Sequence, residues 1–216
     1  MISIIKVIKY EMLISKQYIK VLAFLAIMGI FLSVSSKNFL NGIITIMTLV
    51  SIKNVVLIFQ CEEKSNMKNF YGFIPVKRKH LVVGRFCFCF LIGILFLLTS
   101  VLINSIVFNF FNISVGKMDY FLALVFGYTI YLLNISIQTP FLYKLGSVKG
   151  AIFAYVPVLF FILFFYLIGG FSNFGVETAS IFLDNIVGIS IGILLASIVA
   201  VFISVKASES IFSKII

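Results

Sequence analysis

The chain has 216 residues, 62% of them hydrophobic and 11% charged, with a formal net charge of +10 and a mean hydropathy of +1.21. Soluble domains carry roughly 25% charged residues, so too little polar surface is present to cover a globule in water. Three cysteines without metal-ligand spacing, one histidine (His80) and no GxxxxGK[ST] phosphate loop argue against a metal site, base catalysis or nucleotide hydrolysis by this chain.

Residues 1–18 interleave Ile4, Ile5, Ile8, Met12 and Tyr18 with Lys6, Lys9, Glu11 and Lys16. That pattern predicts an amphipathic helix lying in a headgroup layer. No small-residue cleavage site follows the first apolar run, so no cleavable signal is expected. Apolar runs of about 20 residues then follow one another, each long enough to cross about 30 Å of hydrocarbon as a helix. They are continuous rather than alternating, which selects helices over a barrel. The spans fall near residues 19–35, 39–60, 86–108, 121–143, 151–169 and 186–205. The fold class is therefore an all-α membrane protein of six transmembrane helices in one domain, 1–216.

Within the second span, Lys53 either snorkels to the headgroups or points into the bundle, since a charge at that depth is costly. The loop 61–80 is too polar to span and too patterned to be disordered. In it Met67, Phe70, Tyr71 and Ile74 recur at helical spacing among Glu62, Glu63, Lys64, Lys68 and Asn69, and Pro75 ends the run before Lys77, Arg78 and Lys79. This predicts a short surface helix with one apolar stripe. Cys61, Cys87 and Cys89 read as free thiols used for packing. Asn104 in the third span and Asn134 and Gln138 in the fourth either bond between helices or line a polar pathway. Pro157 predicts a kink in the fifth span. Gly188 and Gly192 form a small-xxx-small pair in the sixth, compatible with close helix contact.

The basic residues are distributed unevenly. Lys6, Lys9, Lys16 and Lys20, then Lys64, Lys68, Lys77, Arg78, Lys79 and Arg85, then Lys144, Lys149, Lys206 and Lys214 share one side. Lys37 and Lys117 lie on the other, with Asp119, Glu177 and Asp184. The lysine-rich side belongs in the cytoplasm, with both termini inside. The basic excess is thus a topology signal, and no nucleic-acid partner is expected.

The segment that opens on Glu62, Glu63 and Lys64 and continues through the aromatic run to Pro75, Val76, Arg78 and Arg85 resembles the signature of the ABC-2 family of ABC-transporter permeases. Small six-span bacterial subunits of that family carry an acidic-acidic-lysine start, an aromatic-rich helix, a Leu-Pro-hydrophobic-Ser-Arg turn and a lysine opening the third span. Here Ile74, Lys77, His80 and Arg85 replace the usual leucine, serine, acid and lysine.

The resemblance implies a coupling helix within the loop 61–80, seated on a separate ATPase subunit that binds ATP and Mg. Glu62, Glu63, Lys64, Met67, Phe70, Tyr71, Arg78 and Arg85 would then lie at that interface, with Pro75 as a structural stop. It also implies a second permease subunit, identical or paralogous, membrane lipids as surroundings, a bacterial plasma membrane location, and no cofactor on this chain. Lys53, Asn104, Asn134 and Gln138 are the pathway candidates. The function implied is the permease half of an exporter. Twenty-six phenylalanines, no tryptophan and little charge at mid-depth suit amphipathic or apolar cargo such as a peptide or antimicrobial. The rival reading is the substrate-capturing membrane subunit of a vitamin uptake system, which needs no coupling helix. An intramembrane protease with paired glutamates would need embedded histidines, and His80 is not one.

Overall fold

A computed structural model of the chain describes residues 2–16, 18–65, 78–159 and 185–215. They form α1 (Ile2–Ser15), α2 (Ile19–Ser36), α3 (Phe39–Lys64), α4 (Arg78–Phe110), α5 (Lys117–Gly150), a 3-10 stretch (Ala151–Tyr155) and α6 (Ile186–Ile215). No strand occurs among the described residues. Among the described residues, five helical segments are long and apolar enough to cross a membrane: α2, α3, most of α4, the stretch Lys117–Leu159, and most of α6. The span expected at 151–169 is described as far as Leu159. Its remainder, and the surface helix expected between Ser65 and Arg78, lie outside the described residues.

The centre of the bundle is α3 against α5. Ile43, Ile46, Met47 and Val50 of α3 are fully buried, spaced by three and four so that they share a face. α2 and α4 flank α3, and α5 packs in turn on α6. α2 and α6 leave Phe24, Phe31, Phe202 and Ile203 exposed, apolar surface suited to lipid tails.

Lys37 and Asn38 alone connect α2 to α3. Lys37 takes the left-handed conformation (φ 51°), and the extended Asn38 turns its Oδ1 to accept from Asn41 N at 3.1 Å, capping α3. The two helices then cross closely. A Cβ on Gly42 would overlap the Ser33 side chain and lie 3.1 Å from Ser33 Cα, and one on Gly29 would overlap Ile46. Small residues permit such an approach where no hydrophobic drive separates helix from lipid.

The α5–α6 contact differs from the expectation at Gly188 and Gly192. Both are exposed, and a Cβ at either meets nothing within 4 Å among the described residues. The buried edge of α6 is instead a row of serines, Ser190, Ser197, Ser204 and Ser208. Ser204 Oγ donates to Ser136 O of α5 at 2.5 Å. Serine is nearly as small as glycine and can also hydrogen-bond across the contact.

α5 is interrupted at Gly146, whose φ of 82° and ψ of 179° leave the helix, a conformation open to glycine at little cost. A 3-10 stretch follows directly before Pro157, the position from which a kink is expected. α1 is helical, but its buried side chains are Val7, Glu11 and Ile14, while Ile5 and Met12 of the expected apolar face are exposed.

The described parts of the lysine-rich segments gather at one end of the bundle. Val7 of α1 lies over Gly84 of α4, 2.7 Å from where a Cβ would stand. The α3 terminus meets Ser147 beyond the α5 break, and Tyr143 of α5 packs on Phe212 of α6 with ring centroids 5.2 Å apart. At the opposite end Phe39 packs on Phe108 and Tyr120, beside a shallow cavity of about 160 Å³ lined in part by Lys37 and Asp119.

Candidate functional site

Glu62 and Glu63 occupy the last turn of α3, which ends at Lys64. Consecutive helical residues diverge by about 100°, and the two carboxylates accordingly serve different neighbours.

Glu62 turns to Arg85 in the second turn of α4. Arg85 Nη2 donates to Glu62 Oε1, Nε donates to Glu11 Oε1 of α1 at 2.8 Å, and Nη1 donates to the Tyr143 hydroxyl of α5 at 3.2 Å. The guanidinium carbon also stands 4.5 Å from the Phe59 ring centroid and 5.4 Å from that of Tyr143. The planar fork of arginine, with five donors in fixed directions, allows one side chain to hold three partners and face two aromatic rings. The side chains of Arg85, Glu11 and Glu62 are 6%, 1% and 3% exposed, so the cluster is largely withdrawn from solvent.

With all three groups ionised, this cluster would carry one surplus negative charge. Glu11 answers the surplus: burial raises its carboxyl above the ordinary value, Arg85 opposes the rise, and Glu62 adds to it. Its second oxygen, Oε2, has no hydrogen-bond partner among the described residues. Tyr10, on the neighbouring position of α1, is pushed up to about 12, mainly by burial and then by the charge of Glu62.

Glu63 turns to the α5 break. Its Oε1 accepts from Ser147 N at 2.8 Å and its Oε2 from the Ser147 hydroxyl. Because Gly146 is not helical, Ser147 opens a new helical segment with free backbone donors, and the carboxylate caps it. A side chain at Gly146 would come within 2.9 Å of Glu63 Oε1, so the bare backbone is what admits this contact.

The remaining site candidates are placed as follows. Lys64 is exposed at the end of α3, and Arg78 opens α4. Met67, Phe70, Tyr71 and Pro75 lie outside the described residues. Lys53 is exposed on the bundle surface. Asn104 is buried and donates to Ser100 O of its own helix at 2.9 Å. Asn134 donates to Ser51 Oγ at 2.7 Å and Gln138 to Ile52 O at 3.1 Å, so both tie α5 to α3. Asn54 joins them, donating to the Tyr131 hydroxyl at 3.0 Å, which itself donates to Cys89 O at 2.7 Å. No group of three or more His, Cys, Asp or Glu able to hold a metal occurs among the described residues.

Sequence reasoning missed Glu11, Tyr143 and the Gly146–Ser147 break as members of this site. A signal for Glu11 was present: it is the one acid in a lysine-bearing helix, at +4 from Val7 and −3 from Ile14, on the apolar face.

Comparison with known families returns a match to the model described as ABC-2 family transporter protein over residues 6–213. No curated protein and no solved structure matches the chain.

Proposed function

Because the chain belongs to the ABC-2 family of transporter proteins, we propose that it is the permease subunit of an ATP-driven exporter in a bacterial plasma membrane. Two permease subunits, identical or paralogous, enclose the pathway among lipids. A separate ATPase holds ATP and Mg and binds from the cytoplasm to the segment between Ser65 and Arg78. Met67, Phe70 and Tyr71 form the apolar stripe that seats on it, flanked by Lys64 and Arg78, while Glu62, Glu63 and Arg85 anchor the segment to the bundle. Pro75 stops the helix. The cargo is amphipathic or apolar, in keeping with a wall rich in phenylalanine and poor in charge.

One observation carries this reading beyond family membership. The two helices that bracket the segment, α3 and α4, are joined at its base by a buried ion pair, so a load applied there reaches the bundle rather than dissipating in a loose loop. The same end collects the lysine-rich segments, the side retained in the cytoplasm.

The test is association. The chain is co-purified with candidate ATPases, and wild type is compared with Phe70→Asp and Tyr71→Asp, which spare the ion cluster. Loss of the complex and of permease-stimulated ATP hydrolysis is expected. A full complex and unaltered hydrolysis in both variants would refute the seating of this segment on a motor.

A further inference from the structure

We propose that Lys53, on the open side of α3, is a binding residue for an acidic group of the cargo, so that the exported compound is an anionic amphiphile rather than a neutral or cationic one. The inference rests on the permease reading above and adds to it the chemical class of the cargo.

The case starts from which side of each helix is polar. α2 and α6 turn serines inward, at Ser33, Ser190, Ser197 and Ser204, and show Phe24, Ile27, Leu195 and Phe202 outward, as suits helices against lipid tails. α3 differs, because polar groups stand on its open side as well. That side runs from Asn41 through Thr45, Leu49, Lys53 and Leu57 to Gln60, with Thr48 beside the row and Leu40 and Ile44 bordering its start. Steps of four and three keep such a row continuous along a helix. Thr45 and Thr48 return their hydroxyl hydrogens to Asn41 O and Ile44 O at 2.7 Å, the backbone bond by which apolar helices carry threonine. Lys53 therefore decides what this side faces.

Along the helix axis Lys53 lies about 10 Å from Gln60 and about 18 Å from Asn41, inside the apolar run. A helical Cα–Cβ bond tilts toward the helix N-terminus, here away from the lysine-rich end, so the side chain sets out toward mid-depth and not toward the nearer headgroups. An ammonium at that depth is costly without water or a counter-charge. The chain supplies no such charge. Its seven acids all fall outside the apolar runs of the sequence, and Glu11 and Glu62 are paired with Arg85 at the lysine-rich end. An identical second subunit brings the same acids at the same depths and cannot answer Lys53 either. The counter-charge then belongs to a molecule that visits the site, and Leu49 and Leu57, one turn to either side of Lys53, receive its apolar part.

The test is cysteine labelling in phosphatidylcholine proteoliposomes that hold the complete chain with its ATPase. Cys61→Ser and Cys87→Ser remove the native thiols that are not buried, Leu49→Cys reports on the site, and Leu195→Cys reports on the lipid face. The labels are water-soluble methanethiosulfonates, one with an anionic sulfonatoethyl group and one with a cationic trimethylammonioethyl group, each corrected for its rate with a free thiol. Decanoate and decyltrimethylammonium are the competing amphiphiles. Because a charged label meets a barrier in hydrocarbon, Leu49→Cys is expected to react at least about tenfold faster than Leu195→Cys. The anionic label is expected to be favoured there, and decanoate but not decyltrimethylammonium to slow labelling several-fold. Lys53→Gln is expected to remove both the preference and the protection, and Lys53→Arg to keep both. Thr45→Cys repeats the reading should Leu49→Cys fail to fold.

Labelling of Leu49→Cys as slow as that of Leu195→Cys overturns the proposal, since this side then faces lipid or, where the thiols cross-link between chains, a second copy. A preference or a protection left unaltered by Lys53→Gln overturns it as well. Loss of the preference on adding phosphatidylglycerol assigns the ammonium to a lipid phosphate and overturns it too. All of these leave the permease reading standing, which fails separately if no ATPase co-purifies with the chain.

Discussion

The tightest crossing in the bundle offers a quantitative test. Gly42→Ala places a methyl group in the space of the Ser33 side chain and 3.1 Å from Ser33 Cα, whereas carbon atoms rest at about 3.5–4.0 Å. The side chain cannot yield by rotation alone, because its Cβ is also overlapped, so α2 and α3 must part. Overpacking of this kind costs about 1–3 kcal/mol. Ser33→Gly removes the obstructing atoms, including a hydroxyl with no hydrogen-bond partner among the described residues, at a helix-propensity cost of about 1 kcal/mol. In the double variant the two overlapping atoms of residue 33 are gone and its Cα remains 3.1 Å from the new methyl, so most of the Gly42→Ala penalty is relieved. A double-mutant cycle, read as the SDS mole fraction that unfolds the chain in mixed micelles, should therefore give a favourable coupling of at least about 1 kcal/mol, where independent sites add within about 0.3–0.5 kcal/mol. Strict additivity would mean that these two positions do not face each other and that the α2–α3 crossing is wrong.

Two further outcomes follow from local chemistry. Asn38→Ala removes the carbonyl that accepts from Asn41 N and should cost about 1 kcal/mol, while Asn38→Ser keeps a cap and should stay within a few tenths of wild type. Equal unfolding midpoints for the two variants would contradict the cap. The raised carboxyl of Glu11 sets a pH dependence: the folded chain holds that proton more tightly than the unfolded one. Its contribution is complete below the unfolded value of about 4.3 and is lost as pH rises through the higher folded value. Across that window Arg85 stays charged and Tyr10, at about 12, keeps its proton; Glu62 and Tyr143 also face the site. Thermal midpoints in detergent should thus fall with rising pH more steeply for wild type than for Glu11→Gln, and parallel curves would exclude the assignment.

Five apolar helical segments were legible because lipid imposes a length: an apolar run either reaches across or it does not. Where the helices stop was less legible, since a helix does not end where the hydrocarbon does. α3 continues past Gln60 through both glutamates to Lys64, and α6 continues past Val205 to Ile215, carrying the buried Ser208 and Phe212. Hydropathy assigns these turns to loops, although their side chains still pack with helical spacing. The glycine pair on α6 was a weak guide for a related reason. Small residues license a close contact without selecting it, and the serines seven residues apart at 190, 197 and 204 occupy the packed edge.

The acidic pair shows a different limit. Its position ahead of an aromatic-rich segment was readable, but the partners of Glu62 and Glu63 lie 23 and 84 residues along the chain, and no local pattern names them. Their chemistry still explains why charge is kept there. Apolar side chains of similar volume would often hold four helices together at least as firmly as a buried ion cluster, but apolar contacts slide, whereas an arginine fork bonded to two carboxylates and a phenol admits one register. Such a cluster is therefore poorly explained by stability alone and well explained by a need for fixed direction. It sits beside the last turn of α3, and it joins α1, α3, α4 and α5 there.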